Sequence, residues 1–314
     1  MRPSYRPYIP PKPQPYRTLI FDHLGLVAGM FEELGITEVI DKATQQDPAM
    51  RIVTAGHAVK AMVLNGLGFL NQQLYLVPHF FQNKPLSRLI APGIQASHLH
   101  DDTLGRALDT LYNFGVTELY SLIAATAATR LGLTPKFRHL DTTSFHVDGR
   151  YNSDEPPAEQ VVHITPGYSR DHRPDLNQVM LELVVEHQAG IPVLMKPLSG
   201  NSSDSKAFGQ VVSDHIAQLH PPFSSTYLVA DSALYSAENL HKLAETSLQW
   251  LPRVPATLTE AQEVLAQAPP ATMASLRAGY RDAVVASSSG GGAPRWVLIS
   301  SAQRQPQAQH TVDT

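Results

Sequence analysis

The chain has 314 residues, 43% of them apolar, and a formal net charge of −4 at neutral pH. That is enough apolar content for packed cores, with two domains as the expectation from length, and too much for a disordered chain. The charge excludes a uniformly basic nucleic-acid binder, so any DNA contact rests on local basic patches, and the lack of cysteine excludes disulfides and thiolate metal centres.

A cysteine-free chain fits a reducing cytoplasm. No apolar run approaches membrane-spanning length and no apolar signal core opens the chain, so neither a membrane partner nor secretion is expected. Residues 1–20 form an arm with prolines at Pro3, Pro7, Pro10, Pro11, Pro13 and Pro15 and cations at Arg2, Arg6, Lys12 and Arg17. Proline at this density blocks helix and favours extended chain. The arm reads either as a disordered tail or as a strap that lies on DNA phosphates.

Residues 22–130 read as helical. Leu26, Val27, Met30, Phe31 and Leu34 recur with helical period, and Gly35 ends that helix. Thr54 is placed to cap a helix running through Val59, Met62, Val63 and Leu67. Asp101 or Asp102 is expected to cap the next, in which Leu104, Ala107, Leu108 and Leu111 share a face. Thr117 opens a further helix through Leu122 and Ile123 that closes near Gly132. Short turns join these helices, which points to one bundle.

From Lys136 the pattern changes. Phe137 to Asp141 reads as a strand closed by its aspartate, and Asp148-Gly149 as a hairpin turn. Gln178 to His187 and Ile191 to Lys196 read as a hairpin about Ala189-Gly190. Lys206 to Leu219 is an expected helix. Tyr227 to Asp231 is a short strand ending in a carboxylate, and Ser236 caps a helix through Leu240 and Leu243. Leu248 to Leu251 and Trp296 to Ile299 are further strands, with a serine–glycine loop at residues 286–294. A mixed sheet with helices on its faces follows.

Asp141 and Asp231 therefore stand at equivalent places, each at the end of a strand. Two carboxylates brought together repel unless a cation neutralises them, and hard cations such as Mg²⁺ or Mn²⁺ prefer carboxylate oxygen. A pair of such ions roughly 3.5–4 Å apart activates a water or a 3′-hydroxyl and stabilises the leaving oxygen. Taken singly, each aspartate reads more readily as a helix cap or turn former. Arg170, His172 and Arg173 lie in a dense polar loop and read as phosphate contacts, or as a solvated loop in which Arg173 pairs with Asp171 or Asp175. Asn201 follows Gly200 and reads as a substrate-orienting residue, and Asp204 as a cap for the helix near Lys206. Thr142 and Thr143 read as backbone partners beside Asp141. His139 and His146 read as core or surface histidines, with a metal site as the other reading.

The segments LDTTSFHVDG (140–149), HITPGYSRDHRPDLNQ (163–178), LSGNSSDSKAF (198–208) and YLVADSALYSAENL (227–240) occur in that order. Together they resemble the DDE transposases of bacterial insertion sequences, in the branch with a β-rich insertion inside an RNase H-like core. Residues from about Asp22 to Tyr112 resemble the helical domain that precedes the core in one subgroup. The resemblance implies an α+β or α/β mixed fold, an N-terminal helical bundle followed by an incomplete RNase H-like mixed sheet with flanking helices. It implies a basic arm at 1–20, a helical domain at 21–132, the first part of the catalytic core at 133–256, and the start of an insertion domain at 257–314. Asp141 and Asp231 would be metal ligands of a two-metal Mg²⁺ or Mn²⁺ site. The partners would be terminal inverted repeats and target DNA, met by a homodimer in a synaptic complex, in the bacterial cytoplasm at the nucleoid. The family's third acid lies in a helix with the pattern Tyr-x2-Arg-x3-Glu-x6-Lys. None of Glu238, Glu245, Glu260 or Glu263 has the Tyr and Arg at that spacing. The expectation is a C-terminally truncated transposase, with a non-catalytic DNA-binding or inhibitory remnant as the alternative. A nuclease acting on RNA–DNA hybrids is the third reading, and the long helical domain ahead of the core counts against it.

Overall fold

The structure, a computed structural model, describes residues 19–47, 49–67, 73–149, 151, 161–168, 173, 175–203, 226–246, 248–267, 273–287 and 295–303. Residues 1–18 of the arm, the expected helix at 206–219, most of the serine–glycine loop and the C-terminal tail lie outside them, as do Arg170, Asp171, His172 and Asp204. The chain divides into two compact units, Met1–Gly115 and Val116–Thr314.

The first unit is helical: α1 (Leu24–Glu33), α2 (Ile36–Ala43), α3 (Ala55–Gly66), α4 (Val77–Phe81), α5 (Leu86–Leu89) and α6 (Asp101–Phe114). Gly35 adopts φ 62°, which a glycine takes without strain, and it turns α1 into α2. Thr54 caps α3 by accepting from the His57 N–H at 3.2 Å, while the His57 ring accepts from the Thr54 N–H. Partial burial lowers the His57 pKa, against the pull of Asp41. The α6 cap is not the expected aspartate. His100 occupies the cap position, and Asp101 and Asp102 sit in the first turn, where they face the positive end of the helix dipole.

The buried faces also differ from the apolar stripes of the sequence. In α1, Leu24, Ala28 and Phe31 are buried while Leu26 is 78% exposed. In α3 the buried apolar side chains are Ala55, Ala58, Ala61 and Leu64, whereas Leu67 is 51% exposed. Small side chains let α3 approach α2 closely. A Cβ on Gly56 would stand 2.6 Å from the Thr37 carbonyl oxygen, and the Gly56 N–H donates to buried Asp41 at 2.7 Å. Lys60, on the same helix, is buried and reaches Glu32 at 3.1 Å.

The second unit opens with α7 (Val116–Arg130), whose Tyr120 hydroxyl donates to the Pro192 carbonyl at 3.1 Å. The sequence grouped this helix with the N-terminal bundle, and in the structure it packs on a strand of the sheet. The strands are β1 (Phe137–Val147), β2 (Asn177–Glu186), β3 (Pro192–Ser199), β4 (Tyr227–Ala230) and β5 (Gln249–Pro252), in the order β3-β2-β1-β4-β5. β2 is antiparallel to both neighbours, and β4 is parallel to β1 and β5, which makes a mixed five-stranded sheet. Helix α8 (Ala237–Ala244) has the Ser236 cap read from sequence, with the Ser236 hydroxyl accepting from Asn239 N–H at 3.2 Å. Leu243 joins Leu140, Val184, Leu194 and Leu228 in one core. Helix α9 (Thr259–Gln267) precedes an antiparallel sheet of β6 (Ala274–Arg277), β7 (Tyr280–Ala286) and β8 (Arg295–Ser301). Among the described residues no helix is long and apolar enough to cross a membrane.

β1 runs on through Asp141 to Val147, which pairs with Asn177. Asp148-Gly149 is therefore not a tight hairpin turn, because the chain makes a long excursion before β2. The β2–β3 hairpin is closed by Glu186, whose buried carboxylate accepts from the N–H groups of Gln188 (2.7 Å), Ala189 (2.8 Å) and Ile191 (3.0 Å). Burial alone would raise its pKa, and these three donors outweigh burial and hold it below the ordinary value.

Two outcomes follow from this packing. Gly56→Ala should lower stability by about 1–3 kcal/mol in urea titration, because the added methyl has no room against α2. The depressed Glu186 pKa means stabilisation that is present at neutral pH and lost as pH falls below about 4.5 through the folded value. Urea titrations across pH should show Glu186→Gln less stable at pH 7 by about 1–3 kcal/mol, with a shallower loss on the acid side.

Candidate active site

The two aspartates are brought side by side by strand pairing. β1 and β4 run parallel with Leu140 opposite Ala230. The next residues are Asp141 and Asp231, on strands about 4.8 Å apart. Asp231 keeps extended backbone (φ −76°, ψ −171°), so the alternation of side chains carries through. Both aspartates fall on the face of His139 and Val229, opposite the buried Leu140, Leu228 and Ala230, and both are exposed.

Each carboxylate also has a local role. Asp231 Oδ1 accepts from the Ala233 N–H at 2.8 Å and caps the 3₁₀ turn Ser232–Leu234. Asp141 Oδ1 accepts from the Thr142 N–H at 2.8 Å. Asp141 does not close its strand. It sits where β4 stops while β1 continues, paired with β2 alone. Among the described residues no group of three His, Cys, Asp or Glu side chains could hold a metal ion. Glu182 is the nearest acid on the neighbouring strand, but it pairs with Thr142 and lies on the buried face. His139 is exposed on the carboxylate face, and His146 is half-buried.

The loop residues are placed by a clamp that the sequence reading missed. Residues 161–168 fold back over the end of the sheet, with Thr165 and Gln178 exchanging backbone hydrogen bonds of 3.1 and 3.3 Å. Gly200 N–H donates to the His163 carbonyl at 2.9 Å. Gln178 is fully buried, and its Nε2 donates to the carbonyls of Gly200 (2.7 Å) and Tyr168 (3.2 Å). The crossing is so close that a Cβ on Gly167 would lie 1.9 Å from the Gly200 carbonyl oxygen. Gln178 thus ties Thr165 and Tyr168 to Gly200, the residue before Asn201, at the strand ends towards which β1 runs. The available signal was a glutamine at the head of an apolar strand, where a polar residue has little reason to be buried unless it bonds something.

Arg173 forms a forked pair with Asp175, Nε to Oδ1 at 2.9 Å and Nη2 to Oδ2 at 2.8 Å. The hydrogen bond raises the Arg173 pKa and lowers that of Asp175. Asn201 is exposed immediately after Gly200.

A protein-family model described as a domain of unknown function (DUF4277) matches residues 16–125. No curated protein matches the chain. Among solved structures it is similar to the piggyBac transposase in a synaptic complex with hairpin DNA, at 14% identity and a TM-score of 0.39, covering 90% of this chain and 61% of that one. It is also similar to the Mos1 transposase in a paired-end complex with the left transposon end, at 10% identity and a TM-score of 0.27, covering 64% of this chain and 59% of that one. The chain thus spans less than two thirds of either transposase.

Gln178→Ala should leave the buried Gly200 and Tyr168 carbonyls without their donor, at a cost of about 1–3 kcal/mol. Hydrogen exchange should then quicken at the Gly200 N–H, and limited proteolysis should cut residues 161–176 sooner, while exchange in the centre of β2 stays slow.

Proposed function

We propose that this chain is a transposase of the DDE type that acts on the ends of a bacterial insertion sequence, with Asp141 and Asp231 as the carboxylates that hold its metal. The observation that supports this is the register of β1 and β4, which sets two exposed carboxylates on one face of adjacent parallel strands. Such a donor set fits a hard cation, and Mg²⁺ commonly binds through one or two carboxylates with water completing its shell. Bound there as a pair, Mg²⁺ or Mn²⁺ supplies Lewis acidity and activation of a water or a 3′-hydroxyl. The chain's own contribution is placement. The register sets the two residues next to each other on neighbouring strands, and among the described residues β1 has no strand partner on the β4 side beyond Leu140.

Arg170, His172, Arg173 and Asn201 are assigned to the DNA. Arg173 already presents its forked donors to a carboxylate, the geometry that also suits a phosphate. On this reading it exchanges Asp175 for a backbone phosphate. Terminal inverted repeats and target DNA are the substrates, a homodimer is the synaptic species, and the site of action is the nucleoid.

The second reading is a DNA-binding chain that does not cut. It is favoured by one observation: among the described residues no third acid joins the pair. Strand cleavage on inverted-repeat duplex with Mg²⁺ separates the two. Asp141→Ala and Asp231→Ala should each lower cleavage by at least about 100-fold while leaving gel-shift affinity intact. Retained cleavage in either variant overturns the site assignment. Binding without cleavage by the unaltered chain establishes the second reading.

A further inference from the structure

The helical unit carries a pocket that the reading above does not use. It has a volume of about 280 Å³, and its polar wall is formed by Gln46, Arg51, His98, His100, Thr103 and Arg106 over an apolar floor. No Asp or Glu lines it. In a chain with a net charge of −4, two guanidinium groups around one small cavity form a local excess of positive charge, and two imidazoles add hydrogen-bonding groups. Neither Arg51 nor Arg106 has an ion-pair or side-chain hydrogen-bond partner among the described residues.

The imidazoles are held in place by their own elements. His98 Nδ1 accepts from the Gln95 N–H at 3.1 Å, so that nitrogen carries no proton and Nε2–H is the donor. The His100 Nε2 lies 3.0 Å from the Thr103 hydroxyl. Carboxylates stand close by, with Asp102 4.0 Å from His100 Nδ1, Asp109 three residues after Arg106 on α6 and Asp47 next to Gln46, but none of them is in the lining.

A metal cation is a poor occupant, because it would meet two guanidinium charges and no carboxylate. An apolar ligand would leave the arginines unused, and the cavity is below the usual volume of a drug-sized site, about 300–1,000 Å³. A tetrahedral oxyanion matches the wall. Arg106 on α6 and Arg51 in the segment before α3 both line the cavity and offer it guanidinium donors, alongside the Thr103 hydroxyl and the Gln46 amide. We infer that this pocket is a phosphate-binding site of the N-terminal unit. The phosphate comes either from a DNA backbone or from a small phosphorylated molecule, and the chemistry of recognition is the same.

Two measurements on the full chain test this, and neither depends on Asp141 or Asp231. Calorimetric titration with inorganic phosphate at low salt should show saturable one-to-one binding. Arg51→Gln and Arg106→Gln, both at exposed positions, should each weaken it by about tenfold or more with unchanged thermal melting. Duplex DNA binding measured at rising KCl forms the second arm. If the source is DNA, each variant should reduce the slope of log affinity against log salt by about 0.9. Phosphate binding lost with an unchanged DNA slope identifies a small phosphorylated ligand and still supports the site. No saturable phosphate binding, together with unchanged DNA slopes in both variants, overturns it, whatever the cleavage assay shows.

Discussion

The parallel pairing of β1 with β4 is the constraint on which the rest of the second unit depends. Its register is secured from both faces. On one face Leu140, Leu228 and Ala230 pack with Leu234 and Leu243 in the core. On the other, the rings of Phe137 and Tyr227 stack with centroids 5.6 Å apart. A slip of one residue would reverse every side chain of β4, exposing Leu228 and turning Asp231 away from Asp141. The apolar residues of this short strand therefore decide where a charged one points. β4 has no independent stability at four residues, and the β5 ladder on its far side completes the support.

β2 shows how the sheet carries polar groups through its interior. Gln178, Glu182 and Glu186 are fully or almost fully buried, while Val179, Leu181, Leu183 and Val185 between them are only half-buried. Burial of a carboxylate or an amide is costly unless hydrogen bonds replace water. Glu186 meets that condition by gathering the three N–H groups of its own hairpin, and the Gln178 amide nitrogen meets it by donating to two carbonyls from separate loops. These two ends of one strand thereby set the hairpin and the loop crossing. Glu182, between them, is buried and stands opposite Thr142 on β1 and Lys196 on β3 in the strand register.

The first unit is built on a different economy. Its central helix α3 buries alanines and a glycine and leaves Val63 and Leu67 largely at the surface. Close backbone approach, with Gly56 against the Thr37 carbonyl, takes the place of large interlocking side chains. That tight interior takes in Asp41 and Lys60, while Arg51 and Arg106, from segments far apart in sequence, stay exposed and line one cavity.

Much of this was legible in the residues themselves. Local chemistry marked the caps at Thr54 and Ser236, the stops at Gly35 and Gly132, and the turn at Gly190, because each depends on backbone dihedrals and neighbours a few residues away. Apolar runs marked the start of β1 and the short β4 that ends just before Asp231, but the end expected for β1 at Asp141 was wrong, and the ordered motifs supplied a family resemblance. What sequence alone could not decide was anything set by contacts between distant segments. Periodicity showed that α1 and α3 are amphipathic but not which stripe is buried, since the partner helix determines that. The extension of β1 past Asp141 depends on its partner β2, and the burial of Gln178 depends on carbonyls at positions 168 and 200. The sequence determined which residues could carry charge chemistry. The tertiary structure decided which of them stand together, because only long-range strand register and helix packing bring such positions within reach of one ligand.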